Sequence, residues 1–423
     1  GAQRARPVTR AELTRVFARI GVLSFGGPAA QIALMHKELV DDRPWLTEED
    51  FLRALSFCML LPGPEAMQLA TYAGWRLHGT AGGLIAGLLF VVPGAVVVLA
   101  LSMLYAGFGD VPLVAALFLG VQAAVLAIVV QALLRVAARA LKASWHRALA
   151  MAAFVALFAF NLPFPLVILV AGAVGWWMAR DAVSPGALPP SPGLIAQARR
   201  QVLVWGAVWL VPLAGLWLIE GGLLFEIGLF FSQLALVTFG GAYAVLAWMT
   251  QAVVQDFGWL TTAEMIAGLG LAETTPGPLI LVNEFVGYLA GFRQGGVALG
   301  LAGALVALWM TFAPCFLWIF AGAPFTERLA QAPRLTSALA GITAAVIGVV
   351  ANLSLWFALH VLFAEVQTVT AGPLRMAVPN PASLDPVALA LGALAAALIL
   401  WRRWPLIPVL AISAATALVL GAF

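Results

Sequence analysis

Four short glycine- and proline-rich motifs interrupt apolar stretches of this 423-residue chain. Hydrocarbon cannot satisfy the backbone N–H and C=O groups that such breaks free, so breaks of this kind occur where they line a polar cavity. Each break also begins a new helix, whose unpaired N–H groups and partial positive charge favour an anion. The motifs are Phe25-Gly26-Gly27-Pro28, Pro62-Gly63-Pro64, Phe239-Gly240-Gly241 and Pro276-Gly277-Pro278. Kinks made only for helix packing are the alternative, but four motifs paired by type favour an anion site.

Side chains that can donate hydrogen bonds cluster at these breaks, and hydroxyl and amide groups suit the oxygens of an oxyanion. We expect backbone N–H groups just after Gly27, Pro64, Gly241 and Pro278 to hold the anion, because no Lys or Arg falls within a few positions of any break. Helix ends then supply most of the attraction, at roughly 0.3–2 kcal/mol per terminus. The predicted substrate-binding set is Ser24, Gly26, Gly27, Pro28, Gln31, Pro62, Gly63, Pro64, Gln68, Thr238, Gly240, Gly241, Tyr243, Thr274, Thr275, Pro276, Gly277, Pro278 and Asn283.

Three carboxylates lie close to the breaks, and a carboxylate inside a membrane is by default a candidate proton carrier. Our order of preference for proton coupling is Glu273, then Glu284, then Glu65. Glu65 follows Pro64 at the first helical position, where a carboxylate can instead simply neutralise the helix dipole. For Glu273, a hydrogen bond to a neighbouring Thr or Tyr is as good an explanation as proton carriage.

Composition shows which elements must position these residues. Of all residues, 63% are apolar and only 10% are charged, against roughly 45–50% and about 25% in a globular protein. This predicts an all-α, multi-pass membrane protein, and it excludes a disulfide scaffold, a disordered chain and a nucleic-acid-binding domain. Long apolar runs occur near 82–108, 112–134, 148–161, 164–179, 201–219, 297–321, 335–363, 386–400 and 404–422. Most approach the roughly 20 residues needed to cross about 30 Å of hydrocarbon, and those at 148–161, 164–179 and 386–400 are short. We expect residues 372–385 to form a loop.

Metal, cofactor and enzyme signals do not emerge from the sequence. Cys58 and Cys315 both lie in apolar segments, where buried free thiols are expected, and the four histidines lack the spacing of metal ligands. There is no HExxH motif, and no GxSxG motif with a partner histidine. We therefore expect no catalytic residues, no metal site and no cofactor.

The chain also repeats itself. Shifted by 214 positions, residues 17–64 align with 231–278 without a gap and are identical at 16 of 48 positions, the breaks included. We predict two homologous halves, 1–183 and 194–423, joined by a Pro/Gly-rich linker at 184–193.

Basic residues indicate that the two halves have opposite orientations in the membrane. Arg135, Arg139, Lys142 and Arg147 follow the second full span of the first half, whereas Arg328 and Arg334 come one span earlier in the second. Since basic loops face the cytoplasm, we expect inverted repeats, a cytoplasmic N-terminus and a periplasmic C-terminus. The breaks are either tips of re-entrant hairpins or interruptions of spanning helices. We favour hairpins, because arms of about 15 residues reach only roughly 22 Å.

At these motifs the chain resembles the chromate ion transporter family in its two-domain, long-chain form. The similarity rests on FGGPAAQ (25–31), WLTEEDF (45–51), LLPGPEAMQLATYAGWRLHG (60–79), FGGAYAVL (239–246), WLTTAEM (259–265) and LAETTPGPLILVNEFVGYLAG (271–291). The resemblance implies about 13 helical segments, antiparallel homologous halves and chromate efflux driven by the proton motive force, which confers chromate resistance. Glu284 stands where the family pattern implies a neutral Gln.

The functional prediction is a secondary transporter, an antiporter, that exports chromate or a related tetrahedral oxyanion across the bacterial inner membrane. Its expected partners are a chromate- or sulfate-like dianion, protons and the lipid bilayer, with no nucleic acid, in a monomer or homodimer. A transporter for sulfate or another oxyanion and an anion channel are the alternatives, followed by a membrane-embedded enzyme. Inverted broken helices favour alternating access over a fixed pore.

Overall fold

A computed structural model describes residues 8–109, 111–182, 191–219, 222–239, 242–326, 329, 332–404 and 406–420. Within these ranges the chain is helical apart from one antiparallel β-hairpin. The helices are α1 (Arg10–Leu23), α2 (Gly27–His36), α3 (Glu48–Met59), α4 (Glu65–Phe108), α5 (Pro112–Ala140), α6 (Ser144–Phe158), α7 (Phe164–Met178), α8 (Pro192–Ile219), α9 (Leu223–Val237), α10 (Ala242–Gln251), α11 (Thr262–Thr274), α12 (Val282–Gly322), α13 (Pro333–Leu362), α14 (Pro386–Ala396) and α15 (Leu406–Leu420).

Five described helical segments are long and apolar enough to cross a membrane. They are Glu65–Phe108, Leu113–Ala138, Pro192–Ile219, Leu279–Phe325 and Pro333–Leu362, and shorter apolar helices accompany them. This confirms the expectation of a helical, multi-pass membrane protein. The predicted linker 184–193 falls largely outside the described residues, but its end is helical, because α8 begins at Pro192.

The β-hairpin is the one departure from the all-helical prediction. Strands β1 (Val366–Ala371) and β2 (Leu374–Pro379) pair antiparallel around a turn in which Gly372 has φ +61°. The loop expected at 372–385 is therefore partly strand. Strand β1 contains Val and Thr residues, which suit a pleated strand. This run is too short to distinguish a strand from a loop in so apolar a chain.

The repeated motifs build the same local structure twice. In the first half, the Thr47 hydroxyl accepts from the backbone N–H of Asp50 at the start of α3, and in the second, Thr261 does the same for Glu264. These are N-caps, so the WLT motif marks a helix start. Further on, α4 is broken at His78-Gly79 and α12 at Gly295-Gly296, each with the second residue near φ +65°.

The structure consists of two compact units, and each draws on both halves of the sequence. The first contains residues 1–103, 183–242 and 275–336, and the second contains 104–182, 243–274 and 337–423. In the first, the two arms of α4 touch at Gly74 and Gly82, and those of α12 at Gly287 and Gly303, with no side chain between. In the second, α5 packs on α11, α14 and α15. The halves 1–183 and 194–423 remain a prediction about the repeat, since compact packing does not follow them.

Candidate anion site at the four breaks

The breaks pair crosswise within the first unit. The carbonyl oxygen of Ser24 accepts from the N–H of Gly277 at 2.9 Å, and that of Thr238 accepts from the N–H of Gly63 at 2.7 Å. Ser24 and Thr238 are 214 positions apart, as are Gly63 and Gly277, so the same hydrogen bond is made twice with the halves exchanged. The segment just before each Gly-Gly motif therefore lies against the Pro-Gly-Pro break of the other half.

Glycine is required at these breaks by backbone conformation. Gly26, Gly27, Gly63 and Gly277 have φ values of +85°, +79°, +128° and +92°, a region that side chains with a Cβ rarely adopt. A Cβ built on Gly63 would lie 2.7 Å from Gln68 Nε2 and 2.9 Å from Cys315 Sγ, whereas one on Gly27 meets nothing within 4 Å. Gly27 thus presents bare backbone to open space. Gly240 and Gly241 lie outside the described residues.

Helix starts from all four breaks border one small cavity. The volume of this cavity is about 10 Å³, which suffices for about one water molecule and is too small for a tetrahedral oxyanion. First-turn N–H groups have no acceptor within their own helix, and each helix start carries about half a positive charge. The helix starts therefore contribute positive potential without a cationic side chain, although the carboxyl group of Glu65 lies at the same cavity. We call this arrangement, in which the cavity is too small for the anion, the closed conformation. The lining residues are Pro28, Gln31, Pro64, Glu65, Ala66, Ala242, Pro278 and Leu279.

The two predicted glutamine ligands donate to backbone carbonyls here. Gln31 Nε2 donates to Gly277 O at 2.6 Å and to Ser24 O at 3.2 Å, so this side chain joins the first break to the fourth. Gln68 Nε2 donates to Pro62 O at 2.7 Å within its own break. The Oε1 atoms of both glutamines are buried and lack a hydrogen-bond partner among the described residues.

The predicted hydroxyl and asparagine donors are likewise engaged inside the protein. Ser24 and Thr238 each donate to the carbonyl four residues earlier at 2.6 Å, and Thr274 donates to Leu271 O at 3.0 Å. Asn283 Nδ2 donates to Thr311 Oγ1 at 2.9 Å, and Thr275 is buried. In the closed conformation these side chains hold the breaks in shape, and their donors would become available to an anion only on rearrangement.

The three carboxylates occupy different surroundings. Glu65 lines the cavity at the start of α4. Glu284 is 1% exposed in the first turn of α12, and its Oε2 has no hydrogen-bond partner among the residues described. Glu273 belongs to the second unit, where the Tyr243 hydroxyl donates to it. Tyr243, expected as a substrate ligand, therefore contacts a candidate proton carrier in this conformation.

Two positions that matter for the breaks were absent from the predicted set. A Cβ on Gly94 would collide with the carbonyl oxygen of Pro276, so α4 reaches the fourth break through a bare glycine. Cys315 of α12 lies against Gly63 of the second break. A signal was present in the sequence, because Pro93-Gly94 and Pro314-Cys315 are the proline positions inside these two long helices.

Comparison with known proteins identifies the family of this chain. A model of the family described as "Chromate transporter" matches residues 11–176 and 225–420. The chain belongs to this family. It is 32% identical over 382 residues to a "Chromate transport protein" of Pseudomonas aeruginosa, covering 86% of this chain and 85% of that protein. It is 30% identical over 352 residues to a "Chromate transport protein" of Cupriavidus metallidurans, covering 81% of each. No solved structure matches the fold.

The potential metal ligands in the described part of the chain do not cluster. No group of three or more His, Cys, Asp or Glu side chains lies there in a position to hold a metal ion, and both cysteines are buried free thiols. The first unit of this chromate transporter family member contains converging helix starts and backbone glycines, together with the carboxylates of Glu65 and Glu284.

Proposed function

We propose that this protein is a secondary active transporter that exports chromate, or a related tetrahedral oxyanion, across the bacterial inner membrane. The observation that carries the proposal is the convergence of four helix starts, two from each half of the sequence, on one small cavity. The names of the relatives above supply chromate as the substrate. A closed cavity that must open to admit its ligand favours a transporter over an open anion channel, and the protein is proposed to have no catalytic activity.

The proton motive force is the proposed energy source, and its electrical component already has the right sign. An inside-negative potential is worth about 2.3 kcal/mol per charge per 100 mV, so a dianion leaving the cell gains about 4.6 kcal/mol per 100 mV. Protons would couple through Glu273, Glu284 or Glu65. An ionised Glu65 beside the cavity repels an anion, so at this position anion binding favours the protonated carboxyl. In an antiporter the proton and the anion bind in turn, whereas at Glu65 they would bind together. Glu273, which accepts a hydrogen bond from Tyr243, is therefore the better candidate for the proton carrier.

We further propose that the halves are inverted repeats, 1–183 and 194–423, with the breaks at the tips of re-entrant hairpins. The two crosswise hydrogen bonds join residues that correspond in the repeat, with the halves exchanged. A local two-fold axis produces this pattern. The rings of Phe57 on α3 and Tyr72 on α4 lie 5.9 Å apart, and Arg53 and Arg76 line one cavity. The part of α3 remote from the Pro62-Gly63-Pro64 break thus lies beside the part of the first α4 arm that is remote from the same break. Two arms that run side by side from one break support a hairpin. Two matches to one family model support the repeat.

Contacts also support the proposed topology, with a cytoplasmic N-terminus and a periplasmic C-terminus. The backbone N–H of Arg375 in the β-hairpin donates to Ala159 O at 2.8 Å, just beyond α6. Basic-residue counting places both segments on the periplasmic side, and a direct hydrogen bond between them requires that they share a side.

Chromate and sulfate flux into proteoliposomes tests this proposal, with the membrane potential and the pH gradient set independently. Gly27→Leu should abolish flux, because a side chain would block backbone approach to the anion and occupy a left-handed position. Gly258→Leu is the matched control, since Gly258 has φ +63°, lies in an exposed loop and also has nothing within 4 Å of a built Cβ. Equal flux in both variants would overturn the site, and flux of neither anion in the wild type would overturn the function.

A further inference from the structure

A polar cavity of about 240 Å³ lies entirely within the second unit. Residues of α6, α10, α13 and the β1–β2 hairpin form its walls, and we call it the hairpin cavity. No acidic side chain is found among the described residues that line it. Its principal polar residues are Thr250, Gln251, Gln255, Asn352, Thr368 and Arg375.

Secondary structure explains why these polar residues share one cavity. On α10, Thr250 and Gln251 follow Ala247 at the three- and four-residue spacing that defines one helix face. On the hairpin, Thr368 pairs with Ala377, and the next strand position on the same face of β2 is Arg375. Asn352 and Trp356 take the corresponding spacing on α13. Polar faces of three elements therefore point at the same space.

The hydrogen-bonding groups around the hairpin cavity include several donors. Thr250 is 2% exposed, and its hydroxyl has no hydrogen-bond partner among the described residues, whereas Thr311 and Thr343 bond to the carbonyl four residues back. Gln251 Nε2 donates to Asn161 Oδ1 at 3.1 Å, and the amide nitrogen of Asn161 is a further donor at the cavity. A buried hydroxyl without a partner costs free energy, so a ligand that accepts hydrogen bonds would be stabilised here.

Arg375 supplies the charge of the hairpin cavity. Its backbone N–H is anchored on Ala159 O, and it forms no salt bridge with a carboxylate in the described chain. A guanidinium group can donate two parallel hydrogen bonds to a tetrahedral oxyanion. One unpaired cation, several neutral donors and no carboxylate match the chemistry of an anion rather than of a cation or an apolar ligand.

We propose that the hairpin cavity is a second binding site for a tetrahedral oxyanion such as sulfate or chromate. The proposal goes beyond the function proposed above, because it involves other residues and depends neither on transport direction nor on proton coupling. With the topology proposed above, the cavity belongs to the periplasmic side, where an exported anion leaves the protein. A lipid phosphate has the same chemistry as the free anion, so the test must separate the two.

Sulfate titration of the purified full-length protein by calorimetry in detergent tests the site. The Gly27→Leu background removes binding at the breaks, so the remaining signal reports the hairpin cavity. Arg375→Gln and Thr250→Val should each weaken sulfate binding about 10-fold or more, as expected for losing a hydrogen bond to a charged group. Arg402→Gln is the control for loss of a positive charge and should bind like its parent. Unchanged affinity in both cavity variants, or no sulfate binding to the parent, overturns the proposal.

The same titration in nanodiscs separates the free anion from a lipid headgroup. Equal sulfate affinity in phosphatidylcholine and phosphatidylglycerol discs supports a free oxyanion. Loss of sulfate binding in phosphatidylglycerol discs would show that the lipid headgroup competes with sulfate for the cavity. If Arg375→Gln also abolished binding of the lipid, the cavity would be assigned to lipid phosphate and the proposal would be overturned. These results are distinct from the failure of the proposed function, because a protein that transports no oxyanion would still show Arg375-dependent binding.

Discussion

The Gln31 bridge offers the most direct test of the crosswise arrangement of the breaks. Gln31 is 1% exposed and donates to both Gly277 O and Ser24 O, so it is the side chain that ties the first break to the fourth. We consider Gln31→Leu, which keeps the approximate volume of the side chain and removes both donors.

The magnitude follows from the hydrogen bonds. Each lost bond costs about 1 kcal/mol net, giving about 2 kcal/mol for the two bonds. Leaving Gly277 O without this donor adds about 1–3 kcal/mol, but removing the buried Gln31 Oε1, which already lacks a partner, recovers a similar amount. We therefore expect a net loss of about 2 kcal/mol in the free energy of unfolding.

Gln122→Leu is the matched control for this prediction. Gln122 Nε2 also donates to a distant backbone carbonyl, that of Ala263 at 3.2 Å, but in an exposed position of the second unit. Its loss should change stability by less than about 0.5 kcal/mol. Equilibrium unfolding in mixed detergent–SDS micelles measures both variants, and proteoliposome flux should fall only for Gln31→Leu. Equal stability of the two variants would refute the conclusion that Gln31 holds the breaks together.

Three further outcomes are expected. Glu273→Gln should keep oxyanion binding but lose the response of flux to a pH gradient, and an unchanged response would remove Glu273 as the proton carrier. Gly94→Val should lower thermal stability in detergent by placing a Cβ on Pro276 O. Gly107→Val is the control, since Gly107 has open space around it, and it should not lower stability, because valine has a helix propensity higher than that of glycine by roughly 0.3 kcal/mol. We expect maleimide to label Lys142→Cys from the cytoplasm and Gly372→Cys from the periplasm. The native Cys58 and Cys315 are buried and should not react. Labelling of both introduced cysteines from one side would exclude the inverted topology.

Local features of this protein could be predicted because they depend on neighbouring residues only. Apolar runs specify spanning helices, since hydrocarbon selects for hydropathy over about 20 residues regardless of the partner helix. Gly27 and Gly63 mark backbone breaks because only glycine takes their conformation easily. Thr47 and Thr261 mark helix starts because an N-cap bonds within three residues. All of these signals are readable in the chain itself.

Partners that lie far apart in sequence were decided by the tertiary structure. The sequence predicts that Gln31 donates to a substrate, yet in the structure it donates to a backbone carbonyl, because the breaks bring Gly277 within hydrogen-bond distance. The hairpin cavity was not predicted either. Thr250, Asn352 and Arg375 are separated by long stretches of chain, and no local spacing shows that they meet.

The sequence alone therefore determined the membrane-spanning character, the repeated breaks and the family resemblance, all of which follow from composition, local backbone chemistry and motif. Only the tertiary structure decided which break lies against which, and it also decided whether a given donor is free or already engaged. The physical reason is that a hydrogen bond is satisfied by whichever acceptor is nearest in space. For Gln31 that acceptor lies 246 residues away along the chain.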